Sequence, residues 1–182
     1  MILFLSIVVF LLAAAVVVVF AMLGELASRV PAPDDDGRRR IESIDTANTG
    51  HRPSYWPAGL THVADQEYAL VLVLSSTCSS CETIAGQVSK MLDRGPANLA
   101  VIVACPARER GEHFAAVHGI DRHDALFIDE DGVWVKGEFA VDTSPAALLF
   151  RNGTLQSALL FWDLPAVLNA VGSLSTADRE VA

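Results

Sequence analysis

The first 23 residues, "MILFLSIVVFLLAAAVVVVFAML", are apolar at every position except Ser6. A helix needs roughly 20 apolar residues to cross the hydrocarbon core of a bilayer, so this run is long enough. It has no basic segment before it and no clean small-residue cleavage site after it. It therefore reads as a retained anchor over residues 1–24 rather than a cleaved signal. Residues 25–60 then lose all periodicity. The stretch "RVPAPDDDGRRR" carries Pro, Gly and charge, and "RPSYWPAGL" sets Tyr55 and Trp56 between prolines. This part reads as a tether that becomes a strap against a folded domain.

The domain is expected from Thr61. "YALVLVL", Tyr68 to Leu74, is unbroken and rich in β-branched residues, as in a strand buried on both faces. Ile84, Val88, Met91 and Leu92 then recur at i, i+4, i+7 and i+8, one stripe of a helix. Lys90 and Arg94 suit its last turn, and Gly95–Pro96 ends it. "LAVIVA" and "ALFID" are further strands, with a short helix, "EHFAAVHGI", between them and another, "GVWVKGEFAV", after the second. "AALLF" and "TLQSALLFW" flank Arg151–Asn152–Gly153, and Asn-Gly between apolar runs is a strong hairpin signal. Asp163 caps a last helix. Residues 175–182 form a polar tail. The alternation predicts an α/β domain over 61–174, a mixed sheet flanked by helices, parallel at first and antiparallel at the end.

A formal net charge of −9 argues against nucleic-acid partners. The chain has three cysteines. Cys78 and Cys81 sit in "LSSTCSSCET", where the first strand gives way to a helix. Such a pair could be a redox couple, half of a metal site, or two idle thiols. The strand end is where open α/β sheets place their sites. A thiolate at Cys78 meets unpaired N–H groups and the positive end of the helix dipole, and both lower its pKa. Two residues on, Cys81 returns beside it on the first helical turn and can resolve a mixed disulfide. Thr77 or Ser79 can cap this helix, Ser79 with Glu82 fitting a capping box. Cys105 reads as a buried hydrophobe. His113, His118 and His123 are spaced by five and do not share a helix face, so no metal site is expected. Asp129, Glu130 and Asp131 read as a solvated turn. Trp134 and Phe139 read as packing, and Trp162 as closing the sheet.

"SSTCSSCET", "FIDEDGVWVKGEFAV" and "TSPAALLFRNGTL", in that order, resemble the thioredoxin superfamily. Within it they are most similar to the membrane-anchored TlpA/ResA-like branch and its methylamine-utilisation accessory (MauD-like) proteins. The resemblance implies a thioredoxin-like fold with one N-terminal transmembrane helix. It also implies thiol–disulfide exchange with partner-protein cysteines. Cys78 and Cys81 would be catalytic, with Thr77, Ser144 and Pro145 shaping the substrate groove. The matching family proline is cis and faces the pair, so the Ser144–Pro145 bond should be cis and close to Cys78. No cofactor is implied beyond the Cys78–Cys81 disulfide, and no metal. The chain departs from thioredoxin in three places. Thr77 replaces the preceding Trp, Ser79–Ser80 replace Gly-Pro, and Leu72 stands where the buried acid would be. These departures point to a narrow partner set. A non-catalytic subunit of a membrane complex is the alternative.

The expected partners are protein thiols and disulfides, membrane lipid through residues 1–24, and a membrane thiol carrier or membrane complex. Arg29 and Arg38–Arg40 favour a cytoplasmic domain under the positive-inside rule. The redox pair and the resemblance favour the extracytoplasmic face, where disulfides persist, and the expectation is set there.

Overall fold

A computed structural model describes residues 41–92 and 98–171. The expected span, residues 25–40 of the tether, the stop at Arg94–Pro96 and the polar tail lie outside the described residues. Among those described, no helix is long and apolar enough to cross a membrane.

In chain order the elements are β1 (Glu42–Ser43), a 3-10 turn (Ala58–Leu60), α1 (Thr61–Ala64), β2 (Tyr68–Ser75) and α2 (Ser79–Leu92). Next come β3 (Leu99–Cys105), α3 (Arg108–His118), β4 (Leu126–Glu130) and α4 (Val133–Phe139). β5 (Ala146–Arg151), β6 (Thr154–Leu160) and a helix over 164–171, α5, close the domain. One six-stranded sheet has the order β1-β6-β5-β2-β3-β4. β2, β3 and β4 are parallel, while β5, β6 and β1 run antiparallel to their neighbours.

The unbroken apolar runs follow from burial on both faces of the sheet. Leu70, Leu72 and Leu74 of β2 join Leu99, Val101 and Val103 of β3 in one core layer, with Ile84, Ala85 and Val88 of α2 and Phe114 of α3. Val71 and Val73 point the other way, into a second layer with Ile102, Trp134, Phe139 and Phe150. Successive strand side chains alternate between faces. When both faces are covered, every position must therefore be apolar. At the hairpin, Asn152 and Gly153 have φ of 50° and 72°, the left-handed pair that suits the twist of the two strands.

Three sequence expectations need correction. The folded part begins before Thr61. β1 pairs with β6 at Glu42↔Leu160 and Ser43↔Leu159, while the expected strap is present, with the Trp56 ring tilted against Trp134 and edge-on to Phe150. The tether composition hid an edge strand of two residues, too short to show a period. Asp129 is not a solvated turn residue but is buried, and its carboxylate accepts the Trp134 and Val135 N–H groups at 3.0 and 2.9 Å. Trp162 does not close the sheet; it is 44% exposed. Trp134 and Phe139 are core residues.

Candidate active site

β2 ends at Ser75, and a tight turn follows in which the Cys78 N–H bonds the Ser75 carbonyl at 3.2 Å. α2 starts at Ser79, so Cys78 itself takes the N-cap position. Its carbonyl accepts the Cys81 and Glu82 N–H groups at 3.1 and 3.3 Å. This replaces the expected cap at Thr77 or Ser79. The Thr77 N–H and hydroxyl are engaged with the Ser75 hydroxyl instead, at 3.3 and 3.0 Å. A side chain at N-cap faces the N–H groups two and three residues on. Here the thiol of Cys78 occupies the place where Ser or Asp usually sits.

That position sets its chemistry. Partial burial of Cys78 works against ionisation. Hydrogen bonds from the Cys81 thiol and the Ser80 hydroxyl outweigh it, together with the backbone N–H groups of Cys81 and Ser80, and the pKa falls below the ordinary 9.0. The Ser80 hydroxyl is 3.1 Å from Cys78 Sγ. Cys81 is fully buried. Burial first, then its hydrogen bond to Cys78 and the Cys78 charge, push its pKa to about 12. The two thiols are thus shifted in opposite directions, Cys78 toward its thiolate and Cys81 away from it. Both are free thiols, as is Cys105.

The loop before β5 closes over the pair. The Ser144–Pro145 peptide bond is cis. The Ser144 carbonyl lies 3.8 Å from Cys78 Sγ, and the Ser144 hydroxyl hydrogen-bonds Cys81. The Pro145 carbonyl is taken by the Phe161 N–H at 3.3 Å, which fixes this loop to the end of β6. Thr77 and Ser144 line a groove of about 300 Å³. Its walls include Val73, Ala104, Cys105, Val135, Lys136 and Asp142, while Cys78, Cys81 and Pro145 stand next to its lining residues Thr77 and Ser144 rather than in it. The five residues named from the sequence, Thr77, Cys78, Cys81, Ser144 and Pro145, are therefore at one end of the sheet.

Sequence reasoning missed Ser80, and with it the α4 side of the groove. Ser80 looked like a spacer between the cysteines, and only the helix start at Ser79 turns its N–H and hydroxyl toward Cys78. Lys136 carries no local signal, since its place in the groove that Thr77 also lines depends on how α4 packs. Cys105 lies outside the pair. It is buried against Gly111 and Ile128, and burial raises its pKa. Among the described residues, no group of three or more His, Cys, Asp or Glu side chains is placed to hold a metal ion.

No protein-family model matches the sequence, and no curated protein matches it. Solved structures do. A thioredoxin-like protein in its oxidised form superposes with a TM-score of 0.51 at 17% identity, over 75% of this chain and 95% of that one. A candidate protein disulfide isomerase from Bacteroides thetaiotaomicron gives 0.52 at 16%, over 75% and 92%. The C-terminal domain of a candidate thiol–disulfide oxidoreductase from the same organism gives 0.52 at 9%, over 70% and 96%. Identities this low speak for the fold, and with the strand order and the cysteine pair at the β2–α2 junction they establish that this chain has a thioredoxin-like α/β fold.

Proposed function

We propose that the protein is a membrane-tethered thiol–disulfide oxidoreductase acting on partner-protein cysteines through Cys78 and Cys81. The observation that carries this reading is the asymmetry of the pair: Cys78 is partly exposed at a helix N-cap with its thiolate favoured, and Cys81 is buried and held as a thiol.

The steps follow from that asymmetry. The Cys78 thiolate attacks one sulfur of a partner disulfide. The partner S–S bond breaks, a mixed disulfide forms, and the leaving partner thiolate takes up a proton. Once Cys78 is in that bond, it no longer accepts the Cys81 hydrogen bond as an anion and no longer carries a charge. Two of the three causes that keep Cys81 protonated are then gone. The Ser144 hydroxyl and the Ser75 backbone, which favour the Cys81 thiolate, remain. Cys81 gives up its proton to solvent or to the departing thiolate and attacks Cys78 Sγ. The second partner thiol leaves, and two electrons have moved from the pair to the partner. Run backward, the same steps oxidise a partner dithiol. Thr77, Ser144 and the groove beside them would receive the partner's chain.

In this reading the apolar run at residues 1–23 stays attached as a single span and keeps the domain at the extracytoplasmic face. A membrane thiol carrier or membrane complex would renew the pair. Among membrane-anchored TlpA/ResA-like proteins, the methylamine-utilisation accessory group is the proposed affiliation, on the motifs quoted above.

Replacing Cys81 by Ser removes the resolving thiol, so a mixed disulfide through Cys78 should accumulate in cells and be captured with its partner. Mass spectrometry of the adduct locates the bond. Labelling of Cys81 ahead of an inert Cys78 would overturn the assignment and favour a non-catalytic subunit.

A further inference from the structure

Helix α4 has only seven residues, about two turns. So short a helix does not hold itself in water, because nucleation costs more than a few hydrogen bonds return. Left-handed residues bracket it, Asp131 and Gly132 before it and Ala140 after it. Its place must therefore be set from outside. At the first turn the holder is the Asp129 carboxylate.

At the last turn the holder is the strap over residues 44–57. The Asn48 N–H bonds the Phe139 carbonyl at 2.9 Å, and the Asn48 amide bonds the Glu138 carbonyl at 3.3 Å. The Glu138 carboxylate accepts the Ser54 N–H at 3.0 Å, the Ser54 hydroxyl, and His51 Nε2 at 2.9 Å. Trp134 Nε1 donates to the Tyr55 carbonyl at 3.1 Å, and the Trp56 ring lies 5.7 Å from the Trp134 ring. Trp134 and Glu138 are four residues apart and share one helix face. Val135 and Lys136, between them in sequence, line the groove beside Thr77 and Ser144.

We propose that the strap is a clamp that sets the groove wall, and that Glu138 is a positioning residue for partner binding, acting through α4 on Val135 and Lys136. The proposal rests on the reading of Cys78–Cys81 as an exchange pair that meets a polypeptide in this groove. It assigns the segment joining the N-terminal apolar run to the domain a part in substrate recognition. The chemistry at Cys78 itself does not pass through the clamp, since neither the strap nor Glu138 contributes to the hydrogen bonds at that sulfur.

The test uses the full chain and its Glu138→Ala and Glu138→Gln variants. Two oxidants are compared: a small aromatic disulfide that needs only Cys78, and a disulfide-bonded polypeptide. Glu138→Ala should raise KM for the polypeptide about three- to tenfold, with kcat and the small-disulfide rate within about twofold of the parent. Glu138→Gln keeps an oxygen for Ser54 and should recover most of the loss. Amide hydrogen exchange should be faster over Lys136–Phe139 in Glu138→Ala and unchanged in α2. An unchanged KM, unchanged exchange in α4, or equal losses with both oxidants would overturn the clamp. A parent protein inert toward both oxidants would instead defeat the exchange reading. The amide exchange would then still decide whether the strap holds α4.

Discussion

Cys78 and Cys105 occupy neighbouring strand ends, and their pKa values shift in opposite directions. Cys78 follows a buried parallel strand and Cys105 ends the next one, each ahead of a helix, and β2 and β3 are paired along their length. The difference lies in two or three residues of register. Cys78 stands three residues past the end of β2, at the N-cap of α2, where its sulfur receives the N–H groups of Ser80 and Cys81. Cys105 is the last residue of β3, paired with Glu130 of β4, and its side chain turns into the core layer beneath α3. Burial dominates there and raises its pKa. Hydrogen bonds from the Gly111 and Ala107 backbone oppose the rise, while the Glu130 and Asp129 carboxylates add to it. A helix N-terminus activates a thiol that is partly exposed and reached by its N–H groups; proximity alone does not suffice.

The largest test of this comparison removes each thiol in turn. Cys78→Ala should drop exchange with any disulfide to the uncatalysed rate, and Cys105→Ala should leave it within about twofold. An equal loss in both would make Cys105 part of the reaction and end the contrast. Measured rates with a disulfide-bonded polypeptide decide it.

Alkylation across pH sharpens the same contrast. A thiol reacts as its thiolate, so reactivity rises with pH through its pKa. The Cys78 midpoint is lowered and should fall below pH 9.0. Cys81, held near 12, and Cys105, raised and buried, should stay unlabelled in that window. Site-resolved mass spectrometry after timed iodoacetamide exposure reads this. Labelling of Cys105 alongside Cys78 would break it.

Stability distinguishes the pair next. A Cβ at Gly111 would come 2.7 Å from both Cys105 Sγ and Ile128 Cγ2. Gly111→Ala should therefore destabilise the domain by about 1–3 kcal/mol, the usual cost of overpacking. Cys105→Ala added to it should return part of the loss in denaturant unfolding, which marks Cys105 as packing. No recovery would mean that Ile128 alone resists the added methyl.

The smallest effect belongs to Ser80→Ala. The hydroxyl 3.1 Å from Cys78 Sγ is one of several groups favouring the thiolate. Its loss should move the Cys78 alkylation midpoint upward while leaving it below that of Cys81. A midpoint that does not move would assign the lowered pKa to the backbone donors and the Cys81 thiol.

Much of the domain was legible in sequence because its signals are local. The run Tyr68–Leu74 is apolar at each position since both faces of β2 are covered, and that fact is written residue by residue. Asn152–Gly153 specifies its own turn through backbone sterics. The cysteine spacing, with a helix stripe after it, places Cys78 at a helix start. Ser144–Pro145 came from the family resemblance, and the loop it heads does meet Cys78.

What the sequence could not decide depends on distances between segments far apart in the chain. Asp129 has the same local setting as any acidic turn, and only the return of α4 over it buries the carboxylate and gives it two N–H donors. Residues 42–60 have the composition of a tether that ends as a strap, and what the strap meets is set 78 to 94 positions later, where Trp56 finds Trp134 and Phe150, and His51 and Ser54 find Glu138. Which of three cysteines ionises is likewise a tertiary matter. Each thiol has the same intrinsic pKa, and the shifts come from burial and from donors that converge only when the strand ends, the helix start and the Ser144 loop are packed together. The chain by itself determined its elements and the place of its cysteine pair; the packing of those elements decided which thiol is shifted toward its thiolate and what stands beside it.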